Sequence, residues 1–288
     1  MRLPRRIQPL PLVAALLAVG CVEYNEECSR FMEDPDGVAG YLAGDVPITK
    51  PVVRTDDNAI GQLVAEAYYH AFDDQQSKYW PDIALVNSGA IRYEGVCESR
   101  EKLFGGPVKR KVLRDVLPFD NRVVVVSVTH RQLKNILEHS VYKYDTTDPK
   151  GWFLQLYGGE VFVDCREPGE TLNPDGTRAT EGRRITRILI HHRPCEENPD
   201  NPSCGQSVEV PLDPPSDTEK IRVVVDSFLQ GGGDGFGDFK AVDPNASDTL
   251  SAGSFNFEIV ARYFSKAYPA EAPLPATAAD RVHLHECR

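Results

Sequence analysis

An α/β domain is the fold class this sequence predicts, and three observations predict it. Apolar residues recur at helical spacing in separate segments, short β-branched runs lie between them, and 288 residues suffice for one large domain with a real core. Along the chain, the first helix is expected from Asp57 or Asn58, either of which can cap it. It carries Ile60, Leu63, Val64, Ala67 and Ala71 on one face. A strand is expected at Asp82 to Val86 and another at Arg122 to Val128, followed by a helix from about His130 to Tyr142 that repeats the spacing with Leu133, Ile136, Leu137 and Val141. Further strand-like runs occupy Leu154 to Asp164, Arg184 to His192 and Lys220 to Phe228. Segments rich in Pro, Asn and Asp separate them at Glu167 to Gly182, Pro194 to Gly205 and Pro211 to Asp217, and these are expected as loops. The last helix runs from near Ser254 to Tyr268, and no segment repeats another.

The chain start predicts export. Arg2, Arg5 and Arg6 form a basic region, and Leu10 to Val19 is an apolar run too short to span a bilayer. Ala18-Val19-Gly20-Cys21 resembles a lipobox, with Ala18 where Leu is usual. Residues 1–20 are therefore expected to be a lipoprotein signal peptide and Cys21 a lipid anchor to a membrane of the bacterial cell envelope, since stable anchoring takes more than one acyl chain. Residues 21–45 read as a tether, 46–270 as the domain and 271–288 as a C-terminal tail.

Setting Cys21 aside leaves six cysteines, an even number that suggests disulfides in an exported chain. Cys195 and Cys204 flank one polar loop and are the expected pair. For the others the sequence leaves alternatives, among them Cys28 with Cys287, which would tie both termini to the body. No two cysteines have close zinc-ligand spacing; His283 and His285 share one side of an extended segment but fall in the expected tail, so no metal is expected on this chain. The net charge of −11 lacks the basic surplus of a nucleic-acid binder, and no nucleic-acid partner is expected.

Three loops at strand ends carry distinctive side chains. Asn87-Ser88-Gly89-Ala90-Ile91-Arg92 follows an apolar run, and Leu117-Pro118-Phe119-Asp120-Asn121 precedes one. Phe228-Leu229-Gln230-Gly231-Gly232-Gly233-Asp234-Gly235-Phe236 follows Ile221 to Val225, where glycines allow positive φ and close approach of a ligand. Two phenyl rings, Phe119 and Phe228, can sandwich a base. The Asn87 amide suits a base edge, the Asp234 carboxylate suits ribose hydroxyls, and Arg54 and Arg92 suit phosphate or ribose oxygens. An acidic chain needs such local guanidinium groups to attract an anionic nucleotide. Each residue also has a plain structural role open to it: a core aromatic, a solvated arginine, or an Asx-turn at Asn87.

In order and spacing these motifs resemble the C-terminal domain of the 5'-nucleotidase family over roughly Val46 to Tyr268. Arg54 stands seven residues before Gly61, as an arginine does before a helix-opening glycine in that family. The resemblance implies a four-layer α/β/β/α domain that binds nucleotide through Arg54, Asn87, Arg92, Phe119, Phe228 and Asp234, with Gly231, Gly232, Gly233 and Gly235 shaping the turn. It also implies that hydrolysis uses divalent metals such as Zn or Mn in a separate metallophosphatase domain, whose motifs this chain does not contain. No catalytic residue or cofactor is therefore assigned to this chain. Three functions follow as expectations: the substrate-binding half of a phosphomonoester hydrolase whose catalytic half is another chain, a stand-alone nucleotide or nucleotide-sugar receptor, or a structural interaction module.

Overall fold

Among the described residues, nine strands build two mixed sheets: β1 (Ile83–Asn87), β2 (Arg122–Thr129), β3 (Leu154–Tyr157), β4 (Gly159–Asp164), β5 (Ile185–His191), β6 (Ser207–Glu209), β7 (Lys220–Asp226), β8 (Leu250–Phe255) and β9 (Val282–His285). The five-stranded sheet has the order β8-β2-β7-β1-β3 and the four-stranded sheet β6-β5-β4-β9. Only the β7–β1 and β9–β4 pairings within them are parallel. The four longer helices are α1 (Ala59–His70), α2 (Arg110–Val116), α3 (His130–Val141) and α4 (Asn256–Ala267). This computed structural model describes residues 33–95, 98–198, 201–243, 245–247 and 249–287, so Cys21, Cys28, Cys97 and the expected signal segment lie outside it.

The single α/β domain expected from the sequence is the fold the chain adopts. The middles of its central strands are continuous apolar runs, Ile83–Val86, Val123–Val126 and Val223–Val225, because both of their faces are covered. Ala84, Val86, Val123, Val125 and Val224 face one core with α1 and α4. The residues between them, Leu85, Val124, Val223 and Val225, face a second core shared with Val161, Val163, Ile188 and Ile190 of the four-stranded sheet and with Leu133, Ile136 and Leu137 of α3. The period-2 alternation of a strand thus divides one run between two cores. Asn58 caps α1, its Oδ1 accepting from the Ile60 and Gly61 N–H groups, and Thr129 with Gln132 forms a capping box on α3.

Three expectations are corrected. Leu154 to Asp164 is two strands in different sheets, broken at Gly158, whose φ is +88° and where a methyl would lie 2.8 Å from the Tyr69 ring and from the Asp82 carbonyl oxygen. The loop Glu167 to Gly182 contains a small hairpin, Thr171–Leu172 with Arg178–Thr180. The tether and tail do not hang free: Val38–Leu42 of the tether pairs antiparallel with Gly106–Lys109, and β9, close to the end of the tail, pairs along β4. Of the pairings that the sequence leaves open, Cys287 bonds to Cys165, because β9 delivers it beside the end of β4, while Cys195–Cys204 forms as expected.

Three tyrosines gather around Glu66 on α1. Tyr268 donates to Glu66 Oε2 at 2.6 Å, and burial followed by the Glu66 charge raises the phenols of Tyr157 and Tyr263, with Tyr268 raised by burial and its bond to Glu66. Tyr157 is pushed from 10.0 up to about 12. A phenol whose folded pKa is raised contributes stability that is complete below its unfolded value and lost as pH rises through the folded one. Melting temperature should therefore fall between about pH 10 and 12, and Glu66→Gln should blunt that fall, as read by thermal melts with tyrosinate absorbance.

Candidate functional site

All six binding residues expected from the sequence converge on one cavity of about 420 Å³. They arrive from separate parts of the fold. Arg54 follows the short helix Lys50–Val53, and this segment is fixed by the fully buried Gln155 of β3, whose Nε2 donates to the carbonyls of Val53 and Asp56 while Oε1 accepts from Asn58 N–H. Gly61 is a glycine for the same reason: a methyl there would meet Gln155 at 2.4 Å. Asn87 is the last residue of β1 and only 3% exposed. Its Nδ2 donates to Asp234 Oδ2 at 2.7 Å, while its Oδ1 is buried with no partner. A buried amide oxygen left unmatched in the wall of a cavity is a ready acceptor for a ligand donor.

The two arginines are not solvated surface charges. Arg54 is half-buried and its Nε has no partner. Burial, and then the charge of Arg92, hold its guanidinium below the ordinary value, with Glu94 and Asp234 pulling the other way. Two guanidinium groups this close repel each other, and an anionic ligand relieves that repulsion. Arg92 lies over the Phe119 ring at 5.0 Å.

Phe119 and Phe228 remain 39% and 42% exposed, unusual for rings with a core available to them. Phe228 lies in a one-turn helix, Ser227–Gln230, rather than at the end of β7. That turn exists because Asp226 caps it, accepting from Leu229 N–H at 3.0 Å. The glycine run then brings the chain back under the ring: a methyl at Gly233 would stand 2.5 Å from Phe228. Gly232 and Gly235 take φ of +85° and +90°, and Asp234 itself sits at +54°.

Sequence reasoning did not single out the rest of the lining. Gly89 and Ala90 of the turn after β1, Asn121 and Gly151 complete the cavity wall. Gly89 N–H donates to the Gly151 carbonyl at 2.8 Å, and a methyl on Gly151 would come within 3.1 Å of Gly89 Cα, so two loops touch through backbone alone. Asn121, two residues after Phe119, donates to Asp226 Oδ2 at 3.0 Å. One buried carboxylate therefore ties both aromatic arms. No periodicity or motif marks that link; only the strand register that sets Asp226 opposite Val123 reveals it. Among the described residues no group of three or more His, Cys, Asp or Glu side chains is placed to hold a metal ion, and His283 is bonded to Glu160 at 2.8 Å.

Comparison with known proteins gives this geometry a family. The protein 5NUC of Lutzomyia longipalpis is 28% identical over 215 residues, covering 73% of this chain and 32% of its own. The 5'-nucleotidase of Bos taurus is 26% identical over 238 residues, covering 80% and 34%. The chain thus spans about a third of the length of these relatives. A solved structure, the 5'-nucleotidase precursor from Thermus thermophilus, superposes with a TM-score of 0.67 at 22% identity over 92% of this chain and 42% of that one, a likeness of fold. The family model described as 5'-nucleotidase, C-terminal domain, matches residues 38–241, and the chain belongs to that family.

Proposed function

We propose that this cavity binds a nucleotide or nucleoside and that the chain acts in nucleotide catabolism as the substrate-binding half of a phosphomonoester hydrolase. One observation carries the reading: two half-exposed phenyl rings, an amide oxygen with no partner, a carboxylate and two arginines all open on the same 420 Å³. A base between Phe119 and Phe228 gains stacking, Asn87 reads its edge, Asp234 accepts from ribose hydroxyls, and Arg54 and Arg92 hold ribose or phosphate oxygens.

Hydrolysis of a phosphomonoester by this family's route needs a pair of divalent ions, and this cavity does not fit them. Its lining offers one carboxylate, Asp234, already bonded to Asn87, beside two cationic side chains. Catalysis is accordingly assigned to a separate metallophosphatase chain carrying Zn or Mn, with this chain holding the substrate. In the same reading the protein works at the bacterial cell envelope, tethered through a lipidated Cys21. No helix among the described residues is long and apolar enough to cross a membrane.

Calorimetric titration of the protein with AMP and with adenosine, with phosphate release followed in the same sample with and without Mn²⁺ or Zn²⁺, tests the proposal. Binding without release is expected. Release that depends on added metal and disappears in Asp234→Ala would place catalysis on this chain, and no binding to either ligand would leave only a structural role.

A further inference from the structure

Behind the Asp234 turn lies a chain of ionisable side chains, two buried and two half-buried, that no part of the nucleotide reading uses. His139, on α3, is 3% exposed and Glu170 is 4% exposed. The His139 Nε2 stands 2.9 Å from the Asp234 carbonyl oxygen, and its Nδ1 stands 2.5 Å from Glu170 Oε1. The other Glu170 oxygen accepts from Arg178 Nε at 2.7 Å, and the same guanidinium reaches Asp238 at 2.6 Å. Tyr142 stacks on the imidazole at 4.8 Å between centroids, and Phe236 meets it edge-on at 4.7 Å. Gly235 permits the approach, since a methyl there would lie 3.0 Å from the ring.

Donor and acceptor counting fixes the protonation of this ring. A carbonyl oxygen can only accept, so Nε2 must carry a proton to bond Asp234. A neutral imidazole has one N–H, which would leave Nδ1 as a bare acceptor facing a carboxylate oxygen. Glu170 could donate only if it were protonated. Burial favours that, but the Arg178 guanidinium, always charged and 2.7 Å from the other carboxyl oxygen, favours the ionised carboxylate. With both ring nitrogens protonated, every group is satisfied, and the two positive charges of His139 and Arg178 balance Glu170 and Asp238.

We infer that His139 is a buried imidazolium and the positioning residue for Asp234. One ring N–H pins the Asp234 carbonyl, which holds that residue in its left-handed conformation and keeps its carboxylate on Asn87 at the cavity. The other N–H anchors the ring to the Glu170 and Arg178 pair. This inference rests on the nucleotide reading for its binding consequence but not for the protonation itself.

Nitrogen-15 side-chain NMR of the wild-type protein at neutral pH is the decisive measurement, with the His139 signals identified by their loss in His139→Gln. Two protonated ring nitrogens are expected. One bare ring nitrogen would overturn the inference whatever the variants do. In calorimetry with AMP, His139→Ala should weaken binding by about tenfold or more, the scale of one charge-assisted hydrogen bond. His139→Gln should recover part of that loss, because its carboxamide N–H can still reach the Asp234 carbonyl. A folded His139→Ala protein that binds AMP like wild type would overturn the positioning role. If wild-type protein itself does not bind AMP, the nucleotide reading fails while the spectrum still judges the imidazolium.

Discussion

Replacing both Phe119 and Phe228 by alanine should weaken AMP binding by between roughly thirtyfold and about twenty-thousandfold, because stacking contributes about 1–3 kcal/mol per ring. Each single variant should show about half of that in free energy. The fold should survive, since both rings are about two-fifths exposed and neither belongs to the two apolar cores. Melting temperature should therefore move by only a few degrees, as for other changes outside the core. Calorimetry on the single and double variants checks this directly. Wild-type affinity in the double variant would remove the base from between these rings and move it elsewhere in the cavity.

The second large effect concerns Asp226, which touches no ligand in this reading. It is 2% exposed, and burial holds its carboxyl above the ordinary range despite bonds from Leu229 and Asn121. Asp226→Ala strands the buried Leu229 N–H and the half-buried Asn121 Nδ2, where an unmatched buried donor costs about 1–3 kcal/mol. A stability loss of about 2–5 kcal/mol in denaturant titration is expected, together with weaker AMP binding as both aromatic arms lose their shared anchor. Asp226→Asn should cost less than about 1 kcal/mol, because its carbonyl still serves Leu229 and the Asn121 amide can turn to present an acceptor. The contrast between the two variants is the test. Equal damage from Asn and Ala would mean that the negative charge matters, not the hydrogen bonds.

The elements that sequence revealed are those whose cause is local. Helix α1 announces itself through the Asn58 cap and its apolar face, and α3 through the spacing of Leu133, Ile136, Leu137 and Val141. The six ligand-type residues were legible because each sits at a strand end or loop beside a glycine or proline, or at a fixed distance from one. What stayed hidden depends on distant parts of the chain. Gly158 looks like any strand glycine until the Tyr69 ring and the Asp82 carbonyl close against it. The strand β9 looks like a frayed tail until β4 offers an edge to pair with. His139 reads as one more polar residue on an amphipathic helix, and only the folded turn brings the Asp234 carbonyl to its ring. The partner of Cys287 follows from the same β4–β9 pairing rather than from spacing.

That last pairing has a consequence for what happens when the chain is cut. Strand β4 would otherwise present an unpaired backbone edge, the kind of surface that recruits a strand from another molecule. β9 covers it, and the Cys165–Cys287 bond staples the cover in place. A protease that opens the segment between α4 and β9 would sever the chain without uncovering that edge, because the clipped strand stays both hydrogen-bonded and covalently leashed. In an oxidising compartment the bond thus keeps β9 as the sheet's edge strand after such a cut, and only reduction would let the clipped strand leave and bare β4.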